Sequence, residues 1–188
     1  MKSAALLLPA TLAAAALLGA PSAAHAGGYV SLGVGTAPTF HDDLSASFSG
    51  EGHASGRAML GQKLGRFAIE AGLSGYGVDG VSAQTADVVD GRAISATVSG
   101  KFHVPLGDRL TGYLRGGLGH TWLRADGTTD LEGRSYHGGL GMEYGFEALL
   151  ASGSIWVEIR RDVEDLARDG MTVQGTADTV SVGVSIGL

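Results

Sequence analysis

The chain has 188 residues, 32 of them glycine, no cysteine, and a formal net charge of −6. The absence of cysteine excludes a disulfide-stapled secreted domain and thiolate metal sites, and the negative charge gives a nucleic-acid partner no electrostatic support. With 17% charged residues against 44% hydrophobic ones, intrinsic disorder does not fit either.

The chain opens with Met1-Lys2, an apolar run over 4–18 broken by Pro9 and Thr11, and then Ala24-His25-Ala26. That is the layout of a secretory signal peptide, 1–26, cleaved after Ala26. The run is short for an uncleaved anchor, which needs about 20 residues. Residues 27–188 then form one domain. Glycine or charge interrupts every later apolar stretch, so no spanning helix is expected.

Strands follow in order. The first, 29–36, places Val30, Leu32 and Val34 on one face, and a polar loop runs over 37–56. The second, 57–63, is the least regular and turns at Leu64-Gly65 into the third, 66–77, with Phe67, Ile69, Ala71 and Leu73 aligned. A loop over 78–92 leads to the fourth, 93–104, with Ile94, Ala96, Val98, Phe102 and Val104 on one face. Pro105-Leu106-Gly107-Asp108 is a turn by composition. The fifth strand, 109–123, aligns Leu110, Leu114, Leu118 and Trp122, and a loop spans 124–133. The sixth, 134–146, aligns Leu140, Met142, Tyr144 and Phe146. The connection 147–152 favours a helical turn. The seventh, 153–161, carries Ile155, Val157 and Ile159, and a fourth loop covers 162–177.

In the eighth strand, 178–188, Val180, Val182, Val184, Ile186 and Leu188 alternate strictly with Ser181, Gly183, Ser185 and Gly187. An unprotected strand with a wholly apolar outer face aggregates in water, whereas a closed barrel in lipid requires that pattern. Long and short connections also alternate, as extracellular loops and periplasmic turns do. The expected fold is all-β: an eight-stranded antiparallel up-and-down transmembrane β-barrel. A soluble lipocalin-like barrel, which binds a ligand in its cavity, is the alternative and reverses the parity. The polar faces here are rich in glycine and serine and hold few charges, and a water-facing surface needs about a quarter to a third of them.

The charges within the strands, Glu70, Lys101, Arg115, Glu143, Glu158 and Arg160, have the parity opposite to the aliphatic stripe. Unpaired charges inside so narrow a barrel cost several kcal/mol, so a balanced ion-pair network is expected there, as a plug rather than an ion pathway. Gly33, Gly35, Gly117, Gly119 and Gly141 share that parity and leave room for it. With the N-terminus periplasmic, Phe67, Phe102, Tyr144 and Phe146 fall at one rim as an aromatic girdle, and Trp122 falls at the other.

Gly28-Tyr29-Val30-Ser31-Leu32-Gly33-Val34-Gly35, Tyr113-Leu114-Arg115-Gly116-Gly117-Leu118-Gly119, Tyr136-His137-Gly138-Gly139-Leu140-Gly141-Met142-Glu143-Tyr144 and Trp156-Val157-Glu158-Ile159-Arg160-Arg161 resemble strands of the outer-membrane protein A-like β-barrel family, small Gram-negative outer-membrane barrels. The end, Ser181, Gly183, Ile186 and Leu188, is similar to the insertion signal read by the barrel-assembly machinery, with leucine where the family usually has phenylalanine. The resemblance implies a monomer in the cell outer membrane. It also implies a structural or adhesin-like role through four surface loops, toward a ligand the sequence does not name. No peptidoglycan-binding domain is expected after the barrel.

Other chemistry is weaker. Ser135 and His137 share a face, but serine precedes histidine, the reverse of the order in lipid A deacylase-like barrels, and no enzyme is expected. His41, His53, His103, His120 and His137 lack metal-ligand spacing; His41 beside Asp42 and Asp43 reads as a solvated loop. Gly33-Val34-Gly35 is strand glycine with no helix behind it to hold a phosphate. No cofactor is expected, and a narrow passive pore remains the functional alternative. The loop carboxylates, among them Asp79, Asp87, Asp90, Asp126, Asp130, Glu132, Glu164 and Asp165, suit bridging through divalent cations to lipopolysaccharide phosphates. Arg92, Arg124, Arg134, Arg161 and Arg168 suit direct contact with those phosphates.

Overall fold

The structure is a computed structural model that describes residues 26–47, 53–81, 88–125, 131–148, 151–168 and 171–188. The expected leader up to residue 25 and the loop carboxylates Asp87, Asp126 and Asp130 lie outside the described residues. The elements in chain order are β1 Ala26–Gly35, β2 Thr39–Asp42, α1 Asp43–Ser47, β3 Ser55–Leu64, β4 Phe67–Val81, β5 Val88–Pro105, β6 Leu110–Ala125, β7 Leu131–Ala148, β8 Ala151–Arg168 and β9 Met171–Gly187. All pairings are antiparallel, and β9 returns to β1 from Tyr29↔Gly187 to Gly35↔Ser181, so the sheet closes on itself there. β2 pairs with β9 further along the same edge and prolongs β1. The fold is therefore a closed eight-stranded up-and-down barrel.

The junction between β1 and β2 is a bulge. Gly35 faces Ser181 and Thr39 faces Asp178, so four steps on one strand match three on the other. Pro38 lacks an N–H for the ladder, which makes this a natural place to break it. The extra residue reverses the inside–outside parity. Val34 points outward, 65% exposed, whereas Phe40, also even-numbered, packs into the interior.

Over most of the barrel the outer skin is apolar. Leu32, Phe67, Ile69, Leu73, Ile94, Leu114, Leu118, Leu140, Ile155, Ile159, Val182 and Ile186 are all large, apolar and exposed. Soluble monomers rarely expose more than a few hundred Å² of contiguous apolar surface. This band instead satisfies the rule for a barrel whose solvent is lipid, and it overturns the soluble lipocalin-like alternative.

Beyond Trp122, Tyr136 and Arg161 the arrangement inverts. Leu44, Ala93, Leu123 and Leu166 point inward and are buried, with Phe40, Tyr76, Leu131 and Val173 packed against them. Arg92, Arg124, Arg134, Asp165 and Gln174 point outward and are exposed. This inversion corrects the expected loops. In segments 78–92, 124–133 and 162–177 the described residues are strand, because β4 and β5, β6 and β7, and β8 and β9 run on past the apolar band. Their side chains still alternate, but with charge outside. A search for one aliphatic stripe counts such segments as loop. Residues 37–56 hold β2 and α1, and 147, 148, 151 and 152 are strand rather than a helical turn.

Candidate functional site

The lumen holds polar side chains in three layers. Nearest the short turns before Phe67 and Leu110, Lys101 is hydrogen-bonded to Glu143, and its ammonium lies 3.8 Å from the centre of the Tyr113 ring. His103 Nε2 is 3.6 Å from the same Glu143. In the middle, Arg115 bridges two carboxylates, with Nε 2.9 Å from Glu70 Oε2 and Nη1 2.8 Å from Glu158 Oε2. Arg57 donates to Glu158 from the other side, and the Tyr29 hydroxyl donates to Glu70 at 2.6 Å. Towards the outer end, Arg160 clasps Asp162, with Nε 2.9 Å from Oδ2.

Five of the six charges singled out in the sequence thus meet one another, and Arg160 instead meets a carboxylate assigned to a loop. Arg57, Asp162, His103 and Tyr29 were missed. Arg57 heads the least regular strand, and Asp162 follows a doublet of arginines that reads as a strand end. The signal was available: both continue the inward parity of their strands.

Glycines make the space. The Trp156 indole donates to Ser31 Oγ at 2.8 Å and lies between Gly33 and Gly183. A Cβ at those two positions would stand 2.4 and 2.3 Å from the ring. Gly183 and the buried Ser181 therefore serve the interior, while Ile186 and Leu188 face outward. Leu188 N donates to Gly28 O at 2.8 Å.

His137 Nε2 is 2.8 Å from Ser99 Oγ, across Gly117, and not from Ser135, whose hydroxyl has no partner. His41 Nε2 is 3.3 Å from Asp178 Oδ2 on the outer surface.

At the barrel end with the short turns, Phe67 and Phe102 are register partners with ring centres 4.9 Å apart. Tyr144 lies opposite Leu110 and Ile155, and Phe146 opposite Gly153. Residues 4–186 match the model of a family described as outer membrane protein beta-barrel domain. The chain belongs to that family. It is a small barrel of the outer membrane. Among solved structures, this outer-membrane barrel is similar to Neisserial surface protein A, at 15% identity and a TM-score of 0.61, over 86% of this chain and 97% of that one. It is also similar to Ail, the attachment invasion locus protein of Yersinia pestis, at 10% identity and a TM-score of 0.52, over 87% and 99%. A second Ail structure, in complex with the heparin analogue sucrose octasulfate, matches at 9% identity and a TM-score of 0.51, over 87% and 99%. No curated protein sequence matches the chain.

The outer-membrane barrel gathers outward arginines around Trp122. Arg92 and Arg124 are register partners on β5 and β6, and His120 and Arg134 are partners on β6 and β7. Arg161 is committed to Asp178 through two hydrogen bonds of 2.7 and 2.6 Å. Asp79 and Arg168 lie on β4 and β8, Asp90 on β5. Glu164 is not on the outer surface: it points inward and is buried.

Proposed function

We propose that this barrel is a plugged membrane element that acts at its extracellular end, in a structural or adhesin-like surface-interaction role. The observation that carries this reading is the series of barriers along the lumen: the Lys101–Glu143 layer, the Arg57–Glu158–Arg115–Glu70 layer, Arg160–Asp162, and the apolar cluster around Leu44 and Leu166. A solute would have to break each in turn. Single-channel recording in planar bilayers tests it. The expected result is no steady conductance; regular steps would install the narrow passive pore instead.

Arg92, Arg124 and Arg134 would contact lipopolysaccharide phosphates at the outer leaflet, with nearby outward carboxylates such as Glu132 and Asp165 bridging through divalent cations. Ail in complex with the heparin analogue sucrose octasulfate supports an anionic ligand for a barrel of this fold. Replacing the three arginines with glutamine should weaken retention of lipopolysaccharide on the purified barrel, and unchanged retention would refute the contact. The same reading has a leader cleaved after Ala26, insertion by the barrel-assembly machinery through Ser181, Gly183, Ile186 and Leu188, and a monomer in the membrane.

A further inference from the structure

The first extracellular strap does more than cover the mouth of the barrel. After the bulge, β2 follows β9, Asp42 takes a positive φ of 61° and the Ser45 hydroxyl donates to Asp42 O at 2.7 Å. The chain thereby turns over the opening and α1 drives Leu44 into the interior. Gly175 on β9 makes room: a Cβ there would stand 2.7 Å from Leu44 Cγ and 2.7 Å from His41 O.

Glu164 lies in the wall next to that glycine. It is the register partner of Gly175 on one side and Ser135 on the other, and it is 2% exposed. Thr121 on β6 donates to its carboxylate, yet its Oε2 has no hydrogen-bond partner among the described residues. Between Glu164 and the Arg57 layer is a small chamber lined by Tyr76, Ser95, Arg160, Asp162 and Thr179, with room for about 30 Å³, roughly one water.

We propose that residues 39–47 are a pH-responsive lid, seated while the Glu164 carboxyl is neutral and loosened when it becomes charged. The groups around that carboxyl favour the neutral form. On its own strand Asp162 repels a second negative charge, and Arg160 is already occupied by Asp162. β4 offers Tyr76, β6 Thr121, β7 the serine Ser135 with His137 one inward position away, β9 Gly175 and Ala177, and the lid Leu44. None of these supplies an uncommitted cation. Glu164 lies past Arg161 and Val163, outside the membrane-spanning part of β8. Burial, with Asp162 adding to it, pushes its carboxyl up to about 7. A charged Glu164 needs water, and water reaches it when Leu44 lifts.

The test is hydrogen exchange of the backbone amides of 39–47 in the full barrel refolded in lipid, read by mass spectrometry at about pH 4 and about pH 8.5. Dividing the wild-type rate by that of Glu164→Gln cancels the intrinsic pH dependence of exchange. The ratio should be close to one at the lower pH and rise about tenfold or more at the higher. A ratio that does not change with pH overturns the proposal. Leu44→Ala supplies a second, independent reading. Linkage is reciprocal, so unlatching the lid must lower the titration midpoint of the Glu164 carboxyl, followed by carbon-13 NMR in an otherwise wild-type chain. An unmoved midpoint also overturns it.

Discussion

Leu140 and Leu166 are the same residue type on adjacent strands of one barrel, and they live in opposite worlds. Leu140, on β7, is 61% exposed to lipid; Leu166, on β8, is 2% exposed in the interior. At the level of Leu140 the interior is held by charge on charge; at the level of Leu166 it is held by an apolar cluster, and the charges have moved outside. One continuous sheet thus obeys two burial codes, each dictated by the solvent it meets. The hydrophobic effect fills the interior only where water lies outside. In the bilayer it places apolar groups on the skin, and cohesion inside falls to ion pairs and hydrogen bonds that have no other partners.

The largest break in this comparison should come from the membrane-level interior. Glu158→Ala would strand Arg57 and leave Arg115 with Glu70 alone, in a site where Glu158 is fully enclosed, at a cost of about 3–5 kcal/mol. Urea unfolding in lipid vesicles should show the loss. In the extension, Leu166→Ala should cost about 2–5 kcal/mol through the cavity it leaves, whereas Leu140→Ala should cost clearly less, because lipid fills the space. Equal losses for the two leucines would erase the distinction between the codes.

Acid should stabilise the extension. Glu164 ionises at an ordinary 4.5 when unfolded and at about 7 when folded. The folded state therefore gains full stability from the neutral form below pH 4.5 and loses it as the pH rises through 7, by on the order of 1–3 kcal/mol. Glu164→Gln should flatten that window in unfolding measured from pH 4 to 8. The outer skin gives the smallest effects and the cleanest contrast. Leu140→Arg should cost about 2–4 kcal/mol if it lies near the bilayer midplane, while Asp165→Arg, exposed in the extension, should stay within about 0.5 kcal/mol.

The period-two stripes of Phe67 to Leu73, Phe102 to Ile94 and Ile186 to Val180 were enough to place those strands in the membrane and to close the sheet. The same period made Glu70, Lys101, Arg115, Glu143 and Glu158 legible as interior residues. What stayed hidden has two physical causes. Past Trp122 the aliphatic parity swaps sides, so Leu166 and Val173 fell within a supposed loop although they continue their strands. At residues 36–38 the count slips by one, so no periodicity carried across it places Phe40 or Leu44 inside. The pairing of Arg160 with Asp162, rather than with a charge further down the lumen, depends on strand stagger, which alternation does not encode.

The slip at 36–38 has a consequence for how such a chain can change. Most single-residue insertions in a strand tip are harmless adjustments of length. Here one residue sets the phase of the whole strap. Removing it would turn Phe40 and Leu44 toward the water and bring Thr39 and His41 inward, while leaving the part of β1 that lies in the bilayer untouched. The barrel would still close along Tyr29 to Gly35, but it would close with its mouth open. A deletion of one codon at this point is therefore a change of surface identity, separable from any change in the membrane anchor beneath it.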